Sequence, residues 1–159
     1  LKSNNGIYLV PAFTGLGAPH WAANARGILS GLTRDTGPKE IVRATVESVA
    51  YQTHDLFEAM KNDGLKPKII KIDGGMVKNN WFSQFLADIV NIKVLIPAVD
   101  ETTALGAAFM AGLHIGIYKS LKDISKNWQV DRTFHPKMKL SNRKKLITGW
   151  DKAIKKTLS

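Results

Sequence analysis

Ile69-Ile70-Lys71-Ile72-Asp73-Gly74-Gly75-Met76-Val77-Lys78-Asn79-Asn80 is the stretch whose reading decides the fold. Lys68 to Ile72 reads as a strand, Asp73-Gly74-Gly75 as a turn, and Asn79 or Asn80 as the cap of a helix running to about Val90. A strand that feeds a glycine turn and then a helix start offers unpaired backbone N–H groups, the positive end of a helix dipole and no Cβ to block a phosphate or ribose. Such a turn can hold a nucleotide. The same glycines equally serve a tight turn that needs left-handed backbone angles, with Asn79 a plain helix cap. Two glycines fit neither the dinucleotide fingerprint nor the phosphate-loop pattern, so spacing leaves both readings open. Asp73 ends the strand beside the turn, where it is a candidate general base, against the commoner role of a carboxylate that orients its own turn.

Working outward, Val94 to Ile96 is a short β-branched strand ended by Pro97, and Glu101 to about Gly112 is a helix loaded with small residues (Ala104, Gly106, Ala107, Ala108, Ala111, Gly112). Asp100-Glu101-Thr102-Thr103 before that helix could bind an ion or hydroxyls. The preferred reading is that Thr102 or Thr103 caps the helix and the small residues let it lie close to a sheet or a nucleotide site. Upstream, Ile7 to Phe13 and Gly27 to Leu32 read as strands separated by the turn-forming Thr14-Gly15-Leu16-Gly17-Ala18-Pro19. Gly37-Pro38 opens a long helix closed by Asn62-Asp63-Gly64, with Val42, Val46, Val49, Thr53, Phe57 and Met60 as its expected buried stripe. Strands and helices alternate, so the class is α/β.

The chain has 159 residues, 44% of them hydrophobic and 23% charged. A chain of roughly 150 residues can bury about two thirds of its unfolded surface, so one domain spanning 1–159 is expected. The absence of cysteine excludes a disulfide scaffold, a thiolate zinc site and a cysteine nucleophile. His20, His54, His114 and His135 are too scattered for a metal cluster, and none is expected. No apolar run approaches the ~18 residues of a membrane span, so a soluble, cytoplasmic protein without a membrane partner is expected. The chain begins Leu1-Lys2-Ser3-Asn4 without Met and enters a strand-like run at once, as a piece of a longer chain would.

Of the charged residues, 11 basic face 10 acidic up to residue 118, and 12 face 3 from 119 onward. A basic patch for nucleic acid or another polyanion is one reading, and a non-catalytic interaction module built on it is the alternative function. The preferred reading is a solvated helix face, which makes a nucleic-acid partner a minor prospect. Leu146, Ile147, Trp150, Ala153, Ile154 and Leu158 fall at helical spacing with lysines 144, 145, 152, 155 and 156 between them, predicting an amphipathic terminal helix over about 141–158.

Gly27-x-Leu29-x-Gly31-Leu32, seven residues, then Glu40-Ile41-x-x-Ala44-Thr45-Val46-Glu47 resembles the second signature of the FGGY carbohydrate kinases at every specified position. Within that family, Pro11-Ala12-Phe13-Thr14-Gly15-Leu16-Gly17-Ala18-Pro19-His20-Trp21 is similar to the members that phosphorylate glycerol, whereas pentulose kinases usually carry a Gly-Glu-Arg-Thr-Pro type of loop. Asp73-Gly74-Gly75 with Asn79, and Glu101 to Ala108, are similar to the same members. The resemblance implies the C-terminal part of an actin-like ATPase of ribonuclease H type, a mixed sheet flanked by helices. It implies γ-phosphoryl transfer from MgATP to glycerol in the intact enzyme, with ATP or ADP touching Gly74, Gly75 and Asn79. Magnesium would then be held mainly through the nucleotide and through segments outside these residues. Asp73 is then not the base. No catalytic residue is expected within 1–159, and the intact enzyme is expected to be a homo-oligomer. Ala22 departs from the pattern, since relatives generally carry an acid after the Trp, which puts any salt bridge of that acid in doubt.

Overall fold

The structure is a computed structural model that describes residues 3–99 and 101–159. Asp100, read above with Glu101 as a possible ligand, lies outside the described residues, as do Leu1 and Lys2. Strands β1 (Tyr8–Val10) and β2 (Ile28–Ser30) form an antiparallel ribbon with Leu9 opposite Leu29. Helix α1 (Pro38–Asn62) follows, then β3 (Ile69–Lys71), a 3-10 turn (Gly75–Lys78) and α2 (Asn80–Val90). Next come β4 (Lys93–Pro97), α3 (Thr102–His114), the short α4 (Leu121–Ser125), β5 (Val130–Phe134) and α5 (Leu140–Leu158). β3 pairs parallel with β4, and β4 antiparallel with β5, so the second sheet is mixed and three-stranded.

The ends of α1 follow from local chemistry. Pro38 occupies the first turn, where no N–H is needed, and the Glu40 carboxylate accepts from the Gly37 N–H at 3.0 Å. The face that α1 buries differs from the expected stripe. Ala44, Glu47, Ser48, Ala50, Tyr51, His54 and Phe57 turn inward, whereas Val42 and Val49 are exposed and Val46, Thr53 and Met60 are half-buried. Helical periodicity finds apolar rows but does not choose between them. The chosen row carries Glu47 because partners for its carboxylate converge there: Asn4 Nδ2 donates at 2.8 Å, Arg43 Nε at 2.7 Å and Tyr51 Oη at 3.1 Å. Burial pushes the Glu47 carboxyl up, against the lowering pull of Arg43, Tyr51 and Asn4.

Around this centre Tyr51 stacks on Trp150 of α5 at 5.3 Å and meets Phe85 of α2 edge-on at 5.7 Å. Helix α5 also comes close to β1. A Cβ at position 149 would run into the Tyr8 hydroxyl and ring, so only glycine permits the approach. The terminal helix appears where the pattern placed it, with Trp150, Ala153 and Ile154 buried and the five lysines exposed, while Leu158 is exposed rather than packed. Strand β5 and helix α4 were not legible in advance. β5 reads Val-Asp-Arg-Thr-Phe and buries little, so it shows neither an apolar run nor a clear alternation. α3 also differs from expectation: its N-cap is Glu101 with no side-chain cap bond, Thr102 lies within the helix, and Ala104, Ala107, Ala108 and Ala111 are exposed. Only Gly112 of α3 is buried, with the Tyr118 ring against it. Among the described residues no helix is long and apolar enough to cross a membrane.

A second polar anchor ties the Pro11–Trp21 loop and α5 to α1. Asp55 Oδ2 accepts from His20 Nε2 at 3.0 Å and from Trp150 Nε1 at 2.8 Å. Burial alone would raise this carboxyl, but the neighbouring His54 imidazole, 3.6 Å away, and the donors Trp150 and His20 outweigh it and hold its pKa below the usual value. A lowered native pKa contributes stability that is present above the unfolded aspartate value of about 3.9 and lost as pH falls from there through the lowered folded value. The Asp55→Asn variant should therefore melt lower than wild type at pH 6 and lose less on acidification towards pH 3. Thermal melts of both proteins across that range check it, and parallel curves would count against the anchor.

Candidate functional site

The β3–α2 connection forms in the order the sequence suggests, and its glycines have different jobs. Gly74 has φ 90° and ψ −177°, a conformation that side chains strain. Gly75 lacks a positive φ, and a Cβ at either position would meet no atom within 4 Å. The backbone of the turn thus lies open on one side, as a cradle for a ligand's flat or anionic surface requires. Asn79 caps α2 by accepting on Oδ1 from the Trp81 N–H at 3.0 Å and the Phe82 N–H at 3.4 Å. The cap reading and the ligand reading are compatible, because capping uses the oxygen and leaves the Nδ2 amide to donate.

Gly74, Gly75 and Asn79 therefore come together on one exposed turn. Asp73 is exposed and, among the described residues, takes no hydrogen bond, so it does not orient its own turn. Asn79 also borders a cleft of about 490 Å³ between α1 and α2, walled by Val42, Val46, Arg43 and Trp81. Val42, which α1 leaves out of the core, is thus part of this cleft, and Val46 lies between the cleft and the core. The Arg43 guanidinium lies 4.5 Å over the Trp81 ring, and Trp81 stacks on Phe85 at 5.0 Å. Among the described residues no group of three or more His, Cys, Asp or Glu could hold a metal ion.

Two residues that hold the surroundings of the turn escaped sequence reasoning. Arg132 of β5 donates from one guanidinium nitrogen to the Val77 carbonyl and to Asn80 Oδ1, clasping the turn from more than fifty residues away. Asp88 of α2 accepts on Oδ1 from the backbone N–H groups of Lys137 at 2.6 Å and Met138 at 3.1 Å, fixing the segment between β5 and α5. No local signal marks either residue, since each acts on a partner distant in sequence.

Comparison with known proteins follows the same architecture. The FGGY family of carbohydrate kinases, C-terminal domain, matches residues 2–115. Glycerol kinase 1 of Pseudomonas aeruginosa is 54% identical over 98% of this chain, and a Clostridium botulinum glycerol kinase is 50% identical over 99%. The chain spans 32% of the length of each of these relatives. The crystal structure of Plasmodium falciparum glycerol kinase with ADP superposes with a TM-score of 0.87 at 38% identity, covering all of this chain and 32% of that one. A ligand-bound xylulose kinase from Lactobacillus acidophilus gives 0.74 at 27% identity, covering 94% of this chain and 29% of that one.

The two glycines can be separated by stability alone. Gly74→Ala should lower stability by about 1–3 kcal/mol through backbone strain, and Gly75→Ala should leave it within about 0.5 kcal/mol. Denaturant unfolding of the two variants measures this. Equal losses at both positions would mean that the turn is not built as described.

Proposed function

The chain belongs to the FGGY family of carbohydrate kinases, with their actin-like ATPase fold, and we propose that residues 1–159 are the nucleotide-side C-terminal part of a glycerol kinase. The observation that carries the substrate is the contrast in likeness: 54% identity to a glycerol kinase across nearly the whole chain, against 27% to a xylulose kinase. The proposed reaction is transfer of the γ-phosphoryl group of ATP to a terminal hydroxyl of glycerol, giving glycerol 3-phosphate and ADP. In this reading residues 1–159 form one domain and belong to a longer protein that assembles as a homo-oligomer.

Each residue of the turn has a role that its geometry supports. The Gly74-Gly75 backbone approaches the nucleotide closely, because neither position carries a Cβ to hold it off. Asn79 donates from Nδ2 to the nucleotide while its oxygen keeps α2 capped. Catalysis of phosphoryl transfer rests on positioning and on charge stabilisation, and these residues supply the positioning at the donor end. Magnesium, when bound, neutralises charge on the transferring phosphates. In this reading the ion is held through the nucleotide and through protein segments other than these. The acceptor hydroxyl and its base likewise belong elsewhere in the protein.

The full-length protein should form ADP from ATP when glycerol is supplied and much less when xylulose is supplied; the reverse preference would overturn the substrate reading. Within it, Gly75→Val should raise the KM for ATP by about tenfold, since a branched side chain fills the cradle without straining the backbone. An unchanged KM in a folded variant would remove Gly75 from the site. The 159-residue chain alone should form no glycerol 3-phosphate above a protein-free control. Positioning contributes about 7–11 kcal/mol to such barriers, and most of the constellation is missing from these residues.

A further inference from the structure

We propose that Arg132 is a positioning residue for the nucleotide, acting through the peptide segment that carries Asn79. The inference rests on the nucleotide reading of the glycine turn and adds a residue from outside it. The 3-10 turn is only four residues long, and such turns have poor hydrogen-bond geometry and little stability of their own. From within, it is held by the Val77 N–H bonded to the Gly74 carbonyl at 3.2 Å, by the Asn79 N–H bonded to the Met76 carbonyl at 3.1 Å, and by burial of the Val77 side chain. Asn79 is further fixed to α2, by its cap bonds from the Trp81 and Phe82 N–H groups and by the Ser83 N–H donating to its carbonyl at 3.2 Å, but none of these contacts ties the turn to β5.

Arg132 does. One of its terminal nitrogens donates to the Val77 carbonyl at 3.2 Å and to Asn80 Oδ1, so a single rigid group grips the chain on both sides of Lys78 and Asn79. Its Nε is held in turn by Asp131 Oδ2 at 2.8 Å. Arg132 lies on β5, which is bonded to β4 with Arg132 opposite Ile96, and β4 carries β3 on its other edge. The turn is therefore tied at its start by β3 and at its end by a guanidinium from across the same sheet. A charge-assisted bond of this kind is stronger than a neutral one, and the two N–H bonds of one planar terminal nitrogen meet both acceptors in a geometry that a rotating lysine ammonium does not fix. Arg43 over Trp81 steadies the first turn of α2 from the α1 side.

Loss of the brace should misplace the Asn79 amide without removing any atom that touches the nucleotide. In the full-length protein, Arg132→Ala should weaken ADP binding and raise the KM for ATP by about five- to twentyfold, with kcat and the KM for glycerol within about twofold of wild type. Arg132→Lys should recover part of the ATP effect, and Asn80→Ala should add little on top of Arg132→Ala, because both remove the same bond. Calorimetry with ADP, steady-state kinetics in both substrates and a thermal melt are the measurements. A wild type that binds ADP, beside an Arg132→Ala variant that binds it equally, overturns the brace and leaves the glycine site standing. A variant in which kcat and both KM values worsen together reports general loosening of the fold and also overturns it. A wild type that binds no ADP overturns the nucleotide reading and this inference with it.

Discussion

A buried carboxylate, Glu47, is the constraint on which the rest of the molecule depends. Its side chain is 1% exposed, and burying an ionised carboxylate without partners costs several kcal/mol. The fold must therefore bring Asn4, Arg43 and Tyr51 to it. Each partner carries a further commitment. Asn4 anchors the approach to β1, with its Oδ1 accepting from the Gly6 N–H at 3.0 Å. Tyr51 is the aromatic hub between Tyr8, Phe85 and Trp150. Arg43 places its guanidinium over Trp81 at the start of α2. Removing one partner leaves charge unpaired in the core, which is why a polar residue can hold the orientation of a 25-residue helix more firmly than its valines do.

The same network joins the core to the candidate site. Arg43 links Glu47 to Trp81, Trp81 stacks on Phe85, and the Trp81 N–H is one of the two that Asn79 caps. The glycine turn thus stands on rigid elements, as close approach to a ligand requires. Helix α5 adds its weight through Trp150 and through Arg143, whose Nε donates to the Ile89 carbonyl at 2.7 Å near the end of α2. The basic C-terminal stretch consequently divides in two. Arg132 and Arg143 are structural ties, whereas the lysines of α5 cover its solvent face. That division follows from guanidinium chemistry, since a planar fork can reach carbonyl and amide oxygens at a half-buried surface while ammonium groups stay hydrated.

Local chemistry made several elements legible. Gly37-Pro38 with Glu40 opened α1, Asn79 capped α2 and the spacing around Trp150 placed α5, because caps and amphipathic rows act within a few residues of themselves. β5 was illegible for the converse reason. Its burial is slight and its value lies in what it touches: the backbone of β4 on one side and the Gly75–Lys78 turn through Arg132. The small residues of α3 likewise promised close packing that the described residues do not supply, leaving most of them exposed.

By itself the sequence determined the order of strand, glycine turn and capped helix, the α/β class and the family signature running from Gly27 to Glu47. These are properties of short segments, whose backbone preferences and capping groups act locally. Only the tertiary structure decided which face of α1 is inside, and that Asn4, Asp88 and Arg132 are the residues that hold the core and the turn in place. Their partners lie 43 to 55 residues away, and pairings at that distance follow from where satisfied hydrogen bonds can be made in three dimensions, which no periodicity along the chain encodes.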